Sequence, residues 1–422
     1  MEAVTRYGDC FSWTCAPGPV PGSLRLAILG LLEAPQMKRL LIPVAAALLA
    51  LATLGGCASA GDAPSPSYYQ PPMYDVDVSY FYDALSPYGD WIRTEEYGLV
   101  WCPAAKPVDW RPYSDGEWIW TDYGWAWVAD EEWGWAAFHY GRWYDDVRNG
   151  WSWVPGNEWG PGWVAWREGG DWIGWAPMPP EVRWHSSHGF MGTDWDAMPG
   201  VQHHWWSFCR TGDLPGRSVN RRLAPRHQAV VLINETHNVT RYTLVNAHVA
   251  NRSFDVEPIR RASGKDIQVH RIVDVKAPPA SRGRQLDQNT FSAYRPQFRE
   301  AAAGAVPARV LGARPVLTNA ERPTPIIVGK RDRQTSEARE LGSREAADRQ
   351  QLERDQRRET AQPPAGVDDA TLRRRQQCQQ DALDEQSVRD KRVLQSRQDR
   401  KKESARENAK VKPVTRGTQK TR

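Results

Sequence analysis

Tryptophan pairs two residues apart, set between glycine turns, constrain this chain more than any other feature. The unit reads Gly116-Glu117-Trp118-Ile119-Trp120, then Gly124-Trp125-Ala126-Trp127, Gly134-Trp135 and Gly150-Trp151-Ser152-Trp153. Variants follow at Gly162-Trp163-Val164-Ala165-Trp166 and Trp172-Ile173-Gly174-Trp175. Side chains two apart leave an extended strand from one face, whereas on a helix they diverge by about 200°. Ser114-Asp115-Gly116, Asp122-Tyr123-Gly124, Asn149-Gly150 and Pro155-Gly156-Asn157 stand between the pairs, and such residues favour tight hairpins. The density of glycine and aromatic residues disfavours helix. The expectation is a mainly β fold: an antiparallel meander, a sandwich or a small barrel of short Trp-rich strands.

Of the 22 tryptophans, 21 lie between Trp91 and Trp206. Strands of four or five residues bury little with aliphatic side chains, but each large ring buries roughly 150–250 Å². Most of the indoles therefore belong to a core. Their number also predicts that some face water, where an indole suits sugar rings, aromatic groups or cations. The candidate ligand-binding set is Trp118, Trp120, Trp125, Trp127, Trp133, Trp135, Trp151 and Trp153, with Tyr123, Tyr140, Arg142 and Asp122 as polar contacts.

The stretch MKRLLIPVAAALLALATLGGC, residues 37–57, has the basic, apolar and small-residue order of a secretory signal. Its apolar run, Leu40 to Leu54, falls short of the roughly 20 residues that span a bilayer. Leu54-Gly55-Gly56-Cys57 resembles a bacterial lipobox, which makes Cys57 the lipid attachment site and gives a membrane anchor. Cleavage at Ala58-Ser59-Ala60, with secretion to the periplasm, is the competing expectation. Residues 1–36 fit no targeting pattern and are expected to be a mis-called upstream start, with translation from Met37. Residues 58–75 read as a flexible tether.

The organisation expected beyond the tether is a Trp-rich β repeat domain over 76–210, a second β-rich region over 211–278 and a linker over 279–330. In the second region apolar and polar residues alternate through Ile233, Val239, Tyr242, Leu244, Val245 and Val249, which predicts short strands, as a second sheet or a solenoid-like layer. Residues 331–422 hold 24 Lys and Arg against 17 Asp and Glu, a net +7 in a chain of net +4. Leu352, Leu372, Leu383 and Leu394 are too sparse there for a packed helix face, so a charged helical or disordered tail is expected. Such a tail suits anionic envelope surfaces. Nucleic acid is a poor partner, because the aromatic and basic halves are not interleaved.

Catalytic motifs are missing: there is no G-x-S-x-G, P-loop, H-E-x-x-H or dinucleotide fingerprint. Glu131, Glu132, Asp145 and Asp146 could flank a sugar as a glycosidase requires, at roughly 5–9.5 Å separation, although adjacent acids on a strand point to opposite faces. His185, His188, His203 and His204 cluster with Cys209, but their spacing matches no standard metal site and solvated loops are the plainer reading. His139 reads as a hydrogen-bonded structural residue. No catalytic residue, metal or cofactor is assigned. Cys102 and Cys209 flank the Trp-rich region and could form a disulfide in an oxidising compartment.

The phrases LSPYGDWIRTEEYGLVWCP, DWRPYSDGEWIWTDYGWAWV, EEWGWAAFHYGRW, GWSWVPGNEWGPGWVAWR and IGWAPMPP resemble an uncharacterised family of exported bacterial proteins, often labelled ferric-citrate-regulator-like or as a domain of unknown function. The likeness covers about residues 80–275, and several motifs agree in order. It implies an envelope location and a β-rich domain, and no activity. The expected function is a lipid-anchored envelope protein whose aromatic domain binds or scaffolds envelope components, with glycan or wall polymer as the first ligand class. A ligand-free assembly scaffold contacting envelope proteins and a glycan hydrolase are the alternatives.

Overall fold

The computed structural model describes residues 78–104, 106–107, 109–185, 189–190, 201–279, 285–298, 307, 310–311 and 332–410. The signal segment, Cys57 and the tether lie outside the described residues. The Trp-bearing phrases become strands of tight hairpins, except Gly134-Trp135, which opens a short helix (Gly134–Ala137) instead of a strand. Strand β1 (Gly89–Thr94) pairs antiparallel with β2 (Gly98–Pro103), and β3 (Gly116–Thr121) pairs with β4 (Gly124–Ala129). Strand β5 (Arg142–Asp146) pairs with β6 (Gly150–Val154), and β7 (Val164–Gly169) pairs with β8 (Trp172–Pro177). In every hairpin an indole stands directly opposite an indole: Trp91 and Trp101, Trp118 and Trp127, Trp143 and Trp153, Trp166 and Trp175. Aromatic pairs placed this way stabilise a sheet beyond the area they bury.

The turns are chemically matched to this spacing. Gly124 adopts φ +85°, and a Cβ there would lie 1.9 Å from the Asn251 carbonyl oxygen. Only glycine meets both conditions. At the β5–β6 turn the Asp146 carboxylate accepts from the backbone N–H groups of Arg148 and Asn149 at 2.8 and 2.7 Å, and Gly150 takes φ +72°.

The hairpins assemble into three main sheets, none closed into a barrel. Trp101 opposite Trp153 joins the first and third hairpins into a five-stranded sheet of order β17–β1–β2–β6–β5, where β17 (Val310–Leu311) runs parallel to β1. The β7–β8 hairpin is flanked by β11 (Ser207–Arg210) and β12 (His237–Asn238). The β3–β4 hairpin lies within a six-stranded sheet, β13–β14–β4–β3–β15–β16, built with β13 (Tyr242–Val245), β14 (His248–Asn251), β15 (Val269–Val275) and β16 (Thr290–Tyr294). Between β8 and β11, β9 (Trp184–His185) and β10 (Gly189–Phe190) form a minimal hairpin.

The described strands of the second region extend existing sheets: β14 and β15 pair parallel with β4 and β3, and β12 pairs antiparallel with β7. Strand β16 lies inside the stretch expected to be linker, and its Phe291 is fully buried. The alternation forms strands at Tyr242–Val245 and His248–Asn251, but its start around Ile233 does not. Ala229–Glu235 forms a helix whose Val230 and Val231 pack against Cys378 and Ala382 near the end of the chain. Tertiary burial overrides the β preference of its branched residues.

One aromatic core spans the sheets. Among the described residues no indole is exposed; Trp120, Trp159 and Trp172 are half-buried and the others buried. The rings also act as hydrogen-bond donors. A short helix (Gly134–Ala137) leaves its last carbonyls without helical partners. Four successive carbonyls there accept from aromatic side chains: Ala137 from Trp143 Nε1 at 2.8 Å, Phe138 from Tyr113 Oη at 3.0 Å, His139 from Trp163 Nε1 at 3.1 Å and Tyr140 from Trp153 Nε1 at 2.7 Å. Valine or leucine could fill the volume but could not satisfy these oxygens.

The helices are numbered α1 (Tyr80–Leu85), α2 (Gly134–Ala137), α3 (Ala229–Glu235), α4 (Val256–Ser263), α5 (Asp332–Ala361) and α6 (Asp369–Lys410). Helix α4 is capped by Asp255, whose side chain accepts from Val256 N, and ends at Gly264 with φ +63°. The charged tail is two long helices, and its leucines are not too sparse to pack: Leu341, Leu352, Leu372, Leu383 and Leu394 are all buried. Helices α5 and α6 form an antiparallel hairpin tied by Glu337–Lys401, Glu345–Lys391, Arg349–Asp384 and Gln356–Gln376.

Candidate functional site

The candidate ligand residues do not form a surface platform. Trp118, Trp125, Trp127, Trp133, Trp135, Trp151 and Trp153 are buried, and Trp120 is half-buried with its ring edge-on to Trp125. Tyr140 is buried, its hydroxyl donating to the Tyr294 carbonyl at 2.9 Å. The Arg142 guanidinium lies 4.0 Å over Trp163 and donates to the Val182 and Gly141 carbonyls. Asp122 is exposed and accepts from Ile272 N, while Tyr123 packs beside His248. The physical reason is that three sheets present inner faces to the same core, and the indoles line all of them.

The proposed disulfide is corrected as well. Cys102 in β2 and Cys209 in β11 are free, buried thiols in different sheets. The Cys102 thiol contacts Ser152 Oγ at 3.1 Å, and burial pushes its pKa up to about 11.

Nor do the four carboxylates surround an open cleft. Glu132 is exposed and accepts from the Tyr88 hydroxyl at 3.0 Å. Asp146 caps its own turn. Glu131 is buried beside Lys106 Nζ at 2.8 Å and the Trp110 indole N–H at 3.2 Å, with Lys106 lying 5.3 Å over Trp110. Burial pushes Glu131 up to about 7 against the opposing pull of Lys106.

Asp145 stands at the centre of a buried charged cluster. Strand β5 points it away from Asp146, toward the short helical turn His203–Trp205 and α6. Its carboxylate accepts from His204 Nε2 at 2.7 Å and from Nε and Nη2 of Arg389. Arg389 also bonds Asp390 at 2.9 Å, and Arg226 lies 3.6 Å from Asp390. Burial alone would raise Asp145, but the His204 hydrogen bond and Arg389 outweigh it and hold the carboxyl below its usual range. Burial pushes His204 down to about 4, so at neutral pH a neutral ring donates its Nε2–H to Asp145. His203 is lowered by burial too, so these two are packed interior residues and not solvated loop histidines. His185 is exposed, and His188 lies outside the described residues. Among the described residues no three His, Cys, Asp or Glu side chains are grouped to hold a metal ion.

This cluster fastens the helical hairpin to the β-domain. Along α6 the stripe Arg389, Val393, Arg397, Arg400 repeats every three or four positions, the spacing of one helix face. Val393 packs on Gly150, Arg397 donates to the Lys106 carbonyl, and Arg400 donates to Asn149 Oδ1 at 2.7 Å. Arg375 reaches Glu235 at 2.5 Å, and Arg344 of α5 pairs with Asp109. His227 and Gln228 meet Asp355 at 3.3 and 3.1 Å. The tail's charges look solvated in the sequence, which hides this docking face; the arginine stripe is its one sequence signal.

His139 is a buried structural residue: Nδ1 bonds the Gly160 carbonyl at 2.9 Å, the ring stacks on Trp159, and burial pushes its pKa down to about 4. Among the described residues no helix is long and apolar enough to cross a membrane.

Residues 82–182 match a family described as of unknown function (DUF6600), which covers the four tryptophan hairpins. No curated protein and no solved structure matches the chain.

Proposed function

We propose that the protein is an exported, lipid-anchored, non-catalytic scaffold of the bacterial cell envelope, in which the aromatic β-domain carries a docked helical hairpin. The observation that carries this reading is the inward placement of the indoles: a glycan receptor of the kind expected from the sequence needs ring faces in water, and none of the described indoles is exposed. The acids a hydrolase would need have other partners, Asp145 bonding His204 and Arg389 and Glu131 bonding Lys106. The anchoring part rests on the lipobox-like segment ending at Cys57.

Two measurements test the reading. Expressed with its leader in a bacterial host, the chain should incorporate labelled fatty acid, and Cys57→Ser should abolish both the label and membrane retention. Titration of the full chain with peptidoglycan fragments and envelope polysaccharides should leave tryptophan fluorescence unchanged. A saturable shift would reinstate the glycan receptor, and an unlabelled wild type would remove the anchor.

A further inference from the structure

We propose that the hairpin-docking face of the β-domain is a recognition site for an arginine-striped helix that α6 of a second copy can fill in place of the chain's own. This deepens the scaffold reading and rests on it, because it identifies the partner as another molecule of the same protein.

Three observations carry it. The first is charge complementarity. The β-domain offers Asp109, Asp145, Asn149, Glu235 and the Lys106 carbonyl, and the hairpin answers with Arg344, Arg389, Arg400, Arg375 and Arg397 respectively. Both sides of the site are therefore on this chain, and any second copy brings the complete ligand.

The second is the composition of the interface. It joins apolar contacts, Val230 and Val231 against Cys378 and Ala382 and Val393 against Gly150, to the five polar pairs just named. A buried ion pair gains little net free energy over its hydrated ions, although deleting one partner is costly. Docking of this kind is specific and exchangeable, unlike the indole core.

The third is reach. Residues 312–331 separate β17 from α5, and twenty residues span at most about 66–72 Å. This linker does not by itself force the hairpin onto its own domain. Docking within a copy and between copies uses identical contacts, so the balance is set by concentration, and confinement of anchored copies to a membrane raises that concentration.

Complementary variants decide the matter. In Asp145→Arg the face is lost but the hairpin keeps Arg389; in Arg389→Asp the hairpin is lost but the face keeps Asp145. Neither chain can dock its own hairpin, yet together they contain one intact pairing, available only between copies. Each full-length variant alone should elute as a single chain with trypsin cutting readily within α5 and α6. The 1:1 mixture should give a heterodimer by light scattering, energy transfer between labels on the two variants, and renewed protection. If charge reversal disturbs folding, Asp145→Asn with Arg389→Gln supplies the same logic. A folded pair that stays monomeric on mixing, or single variants whose hairpins stay docked, would overturn the proposal. Failure here with lipid labelling at Cys57 intact would leave the envelope scaffold standing without self-exchange.

Discussion

Trp153 and Trp127 offer a matched test of why indoles build this core. Both rings are completely buried. The Trp153 N–H donates to the Tyr140 carbonyl at 2.7 Å, whereas the Trp127 N–H has no partner. Replacing either by phenylalanine keeps a ring, removes comparable volume and costs a comparable cavity term. Only Trp153→Phe also strands a buried carbonyl, a penalty of about 1–3 kcal/mol. Trp127→Phe removes an unsatisfied donor and recovers part of its cost. In urea unfolding of the full chain followed by far-UV circular dichroism, Trp153→Phe should therefore lose more stability by about 1–3 kcal/mol. At a slope of about 2 kcal/mol/M this is a midpoint lower by about 0.5–1.5 M. Equal losses, or a larger loss for Trp127→Phe, would refute the claim that indole donors satisfy the ends of α2.

Asp145→Asn should undock the hairpin, because it leaves Arg389 with a weakened partner at a site where breaking a buried pair costs about 3–5 kcal/mol; limited trypsinolysis reads the release. Acid should destabilise the fold between pH 6.5 and 4.5. His139 and His204, held near 4, stay neutral when folded and bind protons when unfolded, while Glu131, raised to about 7, binds its proton when folded and opposes one of them. These three groups contribute about 1.4 kcal/mol per pH unit, lost as pH falls; His203 and His227, also lowered by burial, act in the same direction, and Glu131→Gln should steepen the loss in thermal melts at stepped pH. Gly124→Ala should prevent native pairing of β4 with β14, since its Cβ would collide with the Asn251 carbonyl at φ +85°; loss of cooperative unfolding is the readout.

Strand content was legible because Trp-x-Trp at period two admits few other readings, and glycine turns fixed where each strand ends. Which indole would face which was not, since cross-strand register depends on turn length and on partners elsewhere, as Trp101 against Trp153 shows. The number of rings suggested a surplus for the surface. Three sheets sharing one interior, with several indole N–H groups bonded to loop carbonyls, take up the described rings, leaving only Trp120, Trp159 and Trp172 half-buried. The tail's packing is hidden because it has no continuous apolar face. Leu372, Leu383 and Leu394 recur every 11 residues, as do Leu341 and Leu352, a three-turn repeat that keeps one line of a helix buried. Between these leucines the contact face is arginine, whose role appears only once Asp145 is opposite it.

The inward placement of the indoles is tested most directly by iodide quenching of tryptophan fluorescence in the full native chain, compared with the same chain in denaturant. The expected result is near-complete protection, apart from the share that Trp13 and Trp195, outside the described residues, contribute. Quenching in the native chain that approaches the denatured value would contradict it and return the rings to the surface.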